Sequence, residues 1–413
     1  MSMIVEDAIR DLLTPEAVRE RCLDILNVGE ANGLEHFSVN QENFDFAIEL
    51  VLDEMSKNYP EGNIPFHSRW RHFEFGSNNL WTDFRADLPD CSTAETARRR
   101  IDLAVVSVLL DAGAGPQWCY SDKKTGMVYG RSEGLAIASI RLVESGALSY
   151  DKEGDPRRVD ACALSKLSKE ELSDVFQVNV SNPLVGVKKR ADLLNRLGRE
   201  ISLKSKIFLH DGTYRPGNIY DYLVSQQKNG SIEARDILVA ILNGLSGIWP
   251  DGEKIGGVPV GDVGFHQVVV RKDITNGILP FHKLSQWMAY SLIEPLEDAG
   301  IKVVNLDNLT GLAEYRNGGL FLDTKVLTLK NVRDQTDIHD PKGPLVTEWR
   351  GLTVALLDKV AVEIRRFTGK TAETLPLASV LQGGTWSAGR KIAKTLRKDG
   401  GPPLILNSKG TIF

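Results

Sequence analysis

The chain has 413 residues, 42% of them hydrophobic and 25% charged, with a formal net charge of -5. That is enough apolar sequence for a large soluble core, and the acidic balance argues against a general nucleic-acid binder. No apolar run approaches the ~20 residues needed to span a bilayer, and Met1 to Leu13 carries acids but no basic leader.

Helical signals dominate in chain order. Thr14-Pro15-Glu16 reads as an N-cap with proline at the first helical position, leading into Val18, Cys22, Ile25 and Leu26. Phe44 to Met55 predicts a second helix that ends near Tyr59-Pro60. Glu61 to Asp90, rich in aromatics, arginine and turn residues, reads as irregular. Thr93-Ala94-Glu95-Thr96 opens a long helix, stopped by Ala112-Gly113-Ala114-Gly115-Pro116. Leu184 to Leu203 has helical spacing. Trp249 to His266, with five glycines and two prolines, predicts a long loop or small hairpin.

Lys283 to Glu294 predicts a helix with a polar stripe of Lys283, Gln286, Tyr290 and Glu294, ending or kinking at Pro295. Asp340-Pro341-Lys342-Gly343-Pro344 is a turn. Gly351 to Arg366, apolar on nearly every face, predicts a buried helix. Pro402 to Phe413 suggests two short strands. The expected fold is mainly α, a compact multi-helix body with a few short β-hairpins. It is expected to form one unit over 1–413, with an N-terminal helical lobe (1–180) and a core with C-terminal helix and tail (181–413).

Three polar clusters interrupt apolar sequence in the last third: Leu279 to Trp287, Leu312 to Leu320, and Val346-Thr347-Glu348-Trp349-Arg350. Charges beside residues that seek burial must be paired, neutralised or used. Glu314 is followed by Tyr315, Arg316 and then Asn317-Gly318-Gly319, which lets the backbone bend and a ligand approach. One reading is a carboxylate in an apolar pocket. The other is a lattice in which Glu314 pairs with Arg350, or Glu348 with Arg316.

Gln382-Gly383-Gly384-Thr385 reads as a glycine turn and threonine cap opening a basic helix, with Arg390 or Lys391 adding charge to an anion site; an ordinary capped surface helix is the alternative. Around Trp70, His72 and Phe73, arginines alternate with rings that could stack on a base or sugar, or simply anchor a basic turn. His67 with His72, and Asp262 with His266, lack a third ligand, so no metal is expected. His36, His210, His282 and His339 read as packing or surface histidines. No cofactor fingerprint appears. The cysteines, Cys22, Cys91, Cys119 and Cys162, form no CxxC pair, which fits free thiols in a cytoplasmic protein.

Four ordered blocks together resemble the uracil catabolism protein 4 family: Arg69-Trp-Arg-His-Phe-Glu, Leu279-Pro-Phe-His-Lys-Leu-Ser-Gln-Trp, Leu309-Thr-Gly-Leu-Ala-Glu-Tyr-Arg-Asn-Gly-Gly-Leu and Gly383-Gly-Thr-Trp-Ser-Ala-Gly-Arg. The resemblance implies a role in a uracil-degrading route that opens the pyrimidine ring and passes through a ribosylurea-type intermediate. A more distant resemblance covers the last half. Pro280-Phe-His-Lys-Leu-Ser-Gln, Ala313-Glu-Tyr-Arg and Thr347-Glu-Trp-Arg are similar to ordered blocks of the queuosine salvage proteins, which are queuosine-nucleotide N-glycosylases. That likeness implies a helical fold akin to DNA glycosylases. It puts Glu314 in the place of a catalytic aspartate and Lys283 in that of a lysine beside the substrate phosphate or ribose. Glutamate for aspartate moves the carboxylate out by one methylene.

The combined expectation is an N-glycosidase cleaving the C1'-N bond of a ribosylurea-type compound, with or without a 5'-phosphate. Glu314, Arg316 and Glu348 would be catalytic. Lys283, Gln286, Tyr315, Arg350, Trp70, His72, Phe73, Gly384, Thr385 and Arg390 would bind substrate. The partners implied are this small molecule and other uracil-degradation enzymes, with no nucleic acid, membrane or cofactor. The alternatives are a metal-dependent ureido or amide hydrolase of the same route, and a non-catalytic nucleotide-binding partner of the ring-opening enzyme.

Overall fold

Thr14 caps its helix as the sequence demands: its side chain accepts the Ala17 N-H (3.2 Å), and Pro15 opens the helix Pro15–Glu30. The computed structural model describes residues 3–75, 78–250 and 252–407. The fold is mainly α, with short two-stranded pairs and no larger sheet among the described residues. Six of the eight pairs are antiparallel; Lys302–Val304 with Ser231–Glu233 and Ile338–His339 with Ile405–Leu406 are parallel. Of the expected C-terminal strands, Ile405–Leu406 forms; residues from Ser408 onward lie outside the described ones. All four cysteines are free thiols.

Two compact units make up the chain, each drawn from separated stretches. One comprises Met1–His67, Glu253–Gln286 and Asn305–Ser408; the other comprises Ser68–Gly252 and Trp287–Val304. Residues 1–180 and 181–413 therefore each contribute to both.

The first unit is built on the helix Pro344–Thr368, buried along most of its length. A Cβ at Gly351 of that helix would come within 3.2 Å of Ile25 on the helix Pro15–Glu30, a close helix pairing. The helix Tyr315–Asp323 packs against Trp386–Leu396, and here glycine is required: a Cβ at Gly389 would sit 2.2 Å from the Arg316 carbonyl oxygen. The bidentate pair of Arg397 with Asp323 (2.7 and 2.5 Å) ties the ends of the two helices.

The second unit holds the helices Thr93–Leu110, Arg131–Glu144, Val187–Ser202 and Ala234–Leu245. Buried Asp102 accepts from Arg215 (2.6 Å) and from the Gly217 N-H (2.7 Å). Burial nonetheless pushes its carboxyl up to about 6.

Three expectations need correction. The helix expected to end or kink at Pro295 does not end there but continues over Lys283–Asp298. Proline supplies no N-H to the Ser291 carbonyl one turn back, but the Trp70 indole N-H donates to that oxygen (2.7 Å) and compensates. The Glu61 to Asp90 stretch contains a helix, Leu80–Ala86, capped by Asn79. Gly383 to Thr385 is not a helix start. It is a π-helical turn, Leu381–Thr385, between Leu377–Val380 and Trp386–Leu396.

Candidate active site

Glu314 is the N-cap of the helix Tyr315–Asp323, in extended backbone just before it. Its Oε2 accepts the Arg316 N-H (2.8 Å) and its Oε1 the Asn317 N-H (2.6 Å). The Asn317-Gly318-Gly319 sequence does not bend the chain as expected: it lies inside this helix with ordinary helical backbone, and its glycines serve close packing. A Cβ at Gly318 would stand 2.8 Å from Trp349, whose indole N-H donates to the Gly318 carbonyl (3.0 Å). The carboxylate is half-buried and forms no ion pair within 4 Å among the described residues. Burial pushes its pKa up. The two backbone N-H groups and the charges of Lys283 and Arg316 oppose that shift without cancelling it.

Lys283 and Gln286 lie on the first turn of the helix Lys283–Asp298, within the first unit. Lys283 acts on Glu314 through its charge. Gln286 is fully buried; its Nε2 donates to the Thr310 hydroxyl (2.7 Å), and its Oε1 accepts the Thr310 N-H (3.4 Å). This fixes the Leu309 to Gly311 chain that leads into Glu314.

The other charges choose partners that neither reading of the sequence named. Arg350 clamps Asp262 with two bonds (2.8 and 2.7 Å), and its guanidinium lies 3.9 Å over the Phe281 ring. Glu348, fully buried, accepts the backbone N-H groups of His36 (3.1 Å) and Phe37 (2.9 Å) on one oxygen and faces His266 Nε2 (3.3 Å) with the other. It thus fastens the strand Phe37–Val39. Arg316 forms no ion pair with Glu314; its guanidinium donates to the Gly400 carbonyl (2.8 Å) and lies 4.9 Å from the Tyr315 ring. The carboxylate is therefore held by its own helix start rather than by an arginine.

The expected anion site at Gly384 and Thr385 is absent, because the backbone there is inside a helix and its N-H groups are not free. A Cβ at Gly384 would stand 2.5 Å from Val51, so this glycine serves close packing. Thr385 does reach the site indirectly: its hydroxyl donates to Oδ1 of Asn317 (2.9 Å), the residue whose N-H donates to Glu314. The Arg390 guanidinium lies 5.4 Å from the Trp386 ring.

Trp70, His72 and Phe73 belong to the second unit. Trp70 and Phe73 are buried, their centroids 5.5 Å apart, with Arg100 4.3 Å over Trp70. His72 meets Trp287 edge-on at 5.9 Å.

A cavity of about 600 Å³ in the first unit is lined by residues such as Arg19, Phe44, Val326, Leu356 and Lys359; none of the expected site residues lines it. Among the described residues no group of three or more His, Cys, Asp or Glu is placed to hold a metal ion.

Sequence reasoning missed Asp262, Thr310 and Asn317 as members of this cluster. Only the adjacency of Thr310 and Asn317 to Glu314 could have pointed to them, and Asp262 drew notice only as a poor metal ligand.

Comparison with known proteins places the chain. It is 35% identical to "Protein urg3" of Schizosaccharomyces pombe (strain 972 / ATCC 24843) over 419 residues, covering 98% of this chain and 99% of that one. It is 34% identical to "Uracil catabolism protein 4" of Lachancea kluyveri over 450 residues, covering all of both chains. A family model described as "Protein of unknown function (DUF1688)" matches residues 11–413, and the chain belongs to that family.

Proposed function

We propose that this protein acts in uracil catabolism as an N-glycosidase, hydrolysing the C1'-N bond of a ribosylurea-type compound. The pathway is supported by the name of one full-length relative, "Uracil catabolism protein 4". The reaction rests on one observation: a half-buried carboxylate, Glu314, held by backbone N-H groups at a helix start, with no ion-pair partner among the described residues and its pKa raised by burial.

Breaking the C1'-N bond leaves positive charge on the sugar carbon and the electron pair on nitrogen. An ionised carboxylate beside C1' stabilises that charge electrostatically, and a raised pKa suits it to take the proton of the incoming water. Water adds its oxygen to C1', and nitrogen gains a proton as urea leaves. Glu348 already holds a strand and a histidine and is a poor proton carrier. The Lys283 ammonium, whose field reaches Glu314, takes that place in the proposal. Arg350, committed to Asp262, supports the site rather than gripping phosphate.

The test is mass spectrometry of the purified protein with ribosylurea and its 5'-phosphate. Free urea with ribose or ribose phosphate is the expected outcome. Intact substrate in both reactions would overturn the reading, and release of ammonia without sugar would point to the amide-hydrolase alternative.

A further inference from the structure

We propose that Asp262 is a positioning residue for Lys283: it fixes the turn that brings this lysine to Glu314. The inference rests on the glycosidase reading for its kinetic consequence, on geometry for the turn, and on the Lys283 charge felt at Glu314 for the link between the two. Strand Val263–Phe265 pairs antiparallel with Ile278–Pro280, Val263 opposite Pro280, which sets Asp262 beside the chain that leaves the second strand. One residue then captures three successive backbone donors. The Asp262 carbonyl accepts the N-H groups of Phe281 (3.0 Å) and His282 (3.1 Å), and its Oδ2 accepts that of Lys283 (3.1 Å).

The turn so held is strained. His282 is a buried non-glycine residue at φ +48, a left-handed conformation that persists only where its surroundings impose it. Its Nε2-H donates to the Leu12 carbonyl (3.2 Å), anchoring the ring, while Nδ1 has no hydrogen-bond partner among the described residues. Burial keeps this imidazole neutral by lowering its pKa.

Asp262 is in turn immobilised by the two Arg350 bonds. Burial pushes its pKa up, but the Arg350 charge and hydrogen bonds outweigh that and hold it below the ordinary carboxylate range. Here the pair, the strained turn and the Gln286–Thr310 link one helical turn later all fix the same two residues, Lys283 and Glu314.

The experiment compares wild type with Asp262→Asn, and with the double variant Asp262→Leu, Arg350→Met, which replaces the pair by apolar side chains of similar volume. The substrate-free readout is the pH profile of Lys283 acetylation by acetic anhydride, followed by mass spectrometry. The kinetic readout is kcat and KM on ribosylurea. The expected result is a shifted Lys283 profile in the folded variant and a fall in kcat of roughly 10- to 100-fold, the scale of loss when a reacting group is misplaced by about 1 Å. A folded variant with the wild-type Lys283 profile overturns the proposal. So does failure of both variants to fold, which would make Asp262 a fold residue. Should wild type not turn over ribosylurea, the glycosidase reading falls while the labelling still decides the role of Asp262.

Discussion

At the scale of single residues, the fold treats two carboxylates in opposite ways. Asp262 is held below the ordinary range by Arg350, and Glu314 is held above it by burial. A carboxyl whose folded pKa is raised stabilises the fold fully below its unfolded value. That contribution is lost as the pH rises through the folded pKa. For Glu314 the window opens near the ordinary glutamate value of 4.5 and extends upward. Glu314→Gln cannot ionise and loses nothing there. Its melting temperature relative to wild type should therefore climb from acid to mildly alkaline pH, measured by thermal melts across that range. A flat or falling difference would mean that the carboxylate is well accommodated when charged. Glu314 was legible in the sequence because an acid amid apolar residues must answer for its charge. Its partners were not, because whether Glu314 meets Arg350, or Glu348 meets Arg316, depends on which strands and helices meet. Asp262, far away in sequence, took Arg350 instead.

At the scale of elements, the helices with caps legible in the sequence, Pro15–Glu30 and Thr93–Leu110, stand where the sequence puts them, whereas the buried helix expected over Gly351 to Arg366 begins earlier, at Pro344, and so carries Glu348 and Arg350. The misreadings share a cause: local rules overridden by packing. Gly383 and Gly384 look like helix breakers, yet they sit in a π-helical turn, and glycine is needed there because Met55, Ile64 and Val51 leave no room for a Cβ. Gly389 is more consequential, since a Cβ there meets the Arg316 carbonyl on the helix that Glu314 caps. Gly389→Ala should cost about 1–3 kcal/mol by overpacking, seen in urea unfolding, and should lower activity by displacing the carboxylate. Full activity in that variant would show that the Glu314 cap does not depend on this contact.

Pro295 stays inside its helix because Trp70 satisfies the Ser291 carbonyl. Trp70→Phe keeps the ring but removes the donor, and leaving that buried oxygen without a partner should cost about 1–3 kcal/mol in the same measurement. A change near zero would mean the helix meets the proline by other means.

At the scale of the whole molecule, the mainly α class was legible in composition and periodicity. The grouping of segments was not. The first unit gathers three stretches separated by long insertions, and a linear reading has no means of joining Glu253–Gln286 to Asn305–Ser408. Yet that joining makes the site, by bringing the hairpin residue Asp262, the helix start at Lys283 and the helix cap at Glu314 into one cluster.

The most direct measurement is the turnover rate of Glu314→Gln on ribosylurea, beside wild type, with folding checked by circular dichroism. Loss of the negative charge should lower the rate by roughly 10²- to 10⁴-fold while the protein stays folded. A folded variant that releases urea as fast as wild type would contradict the account.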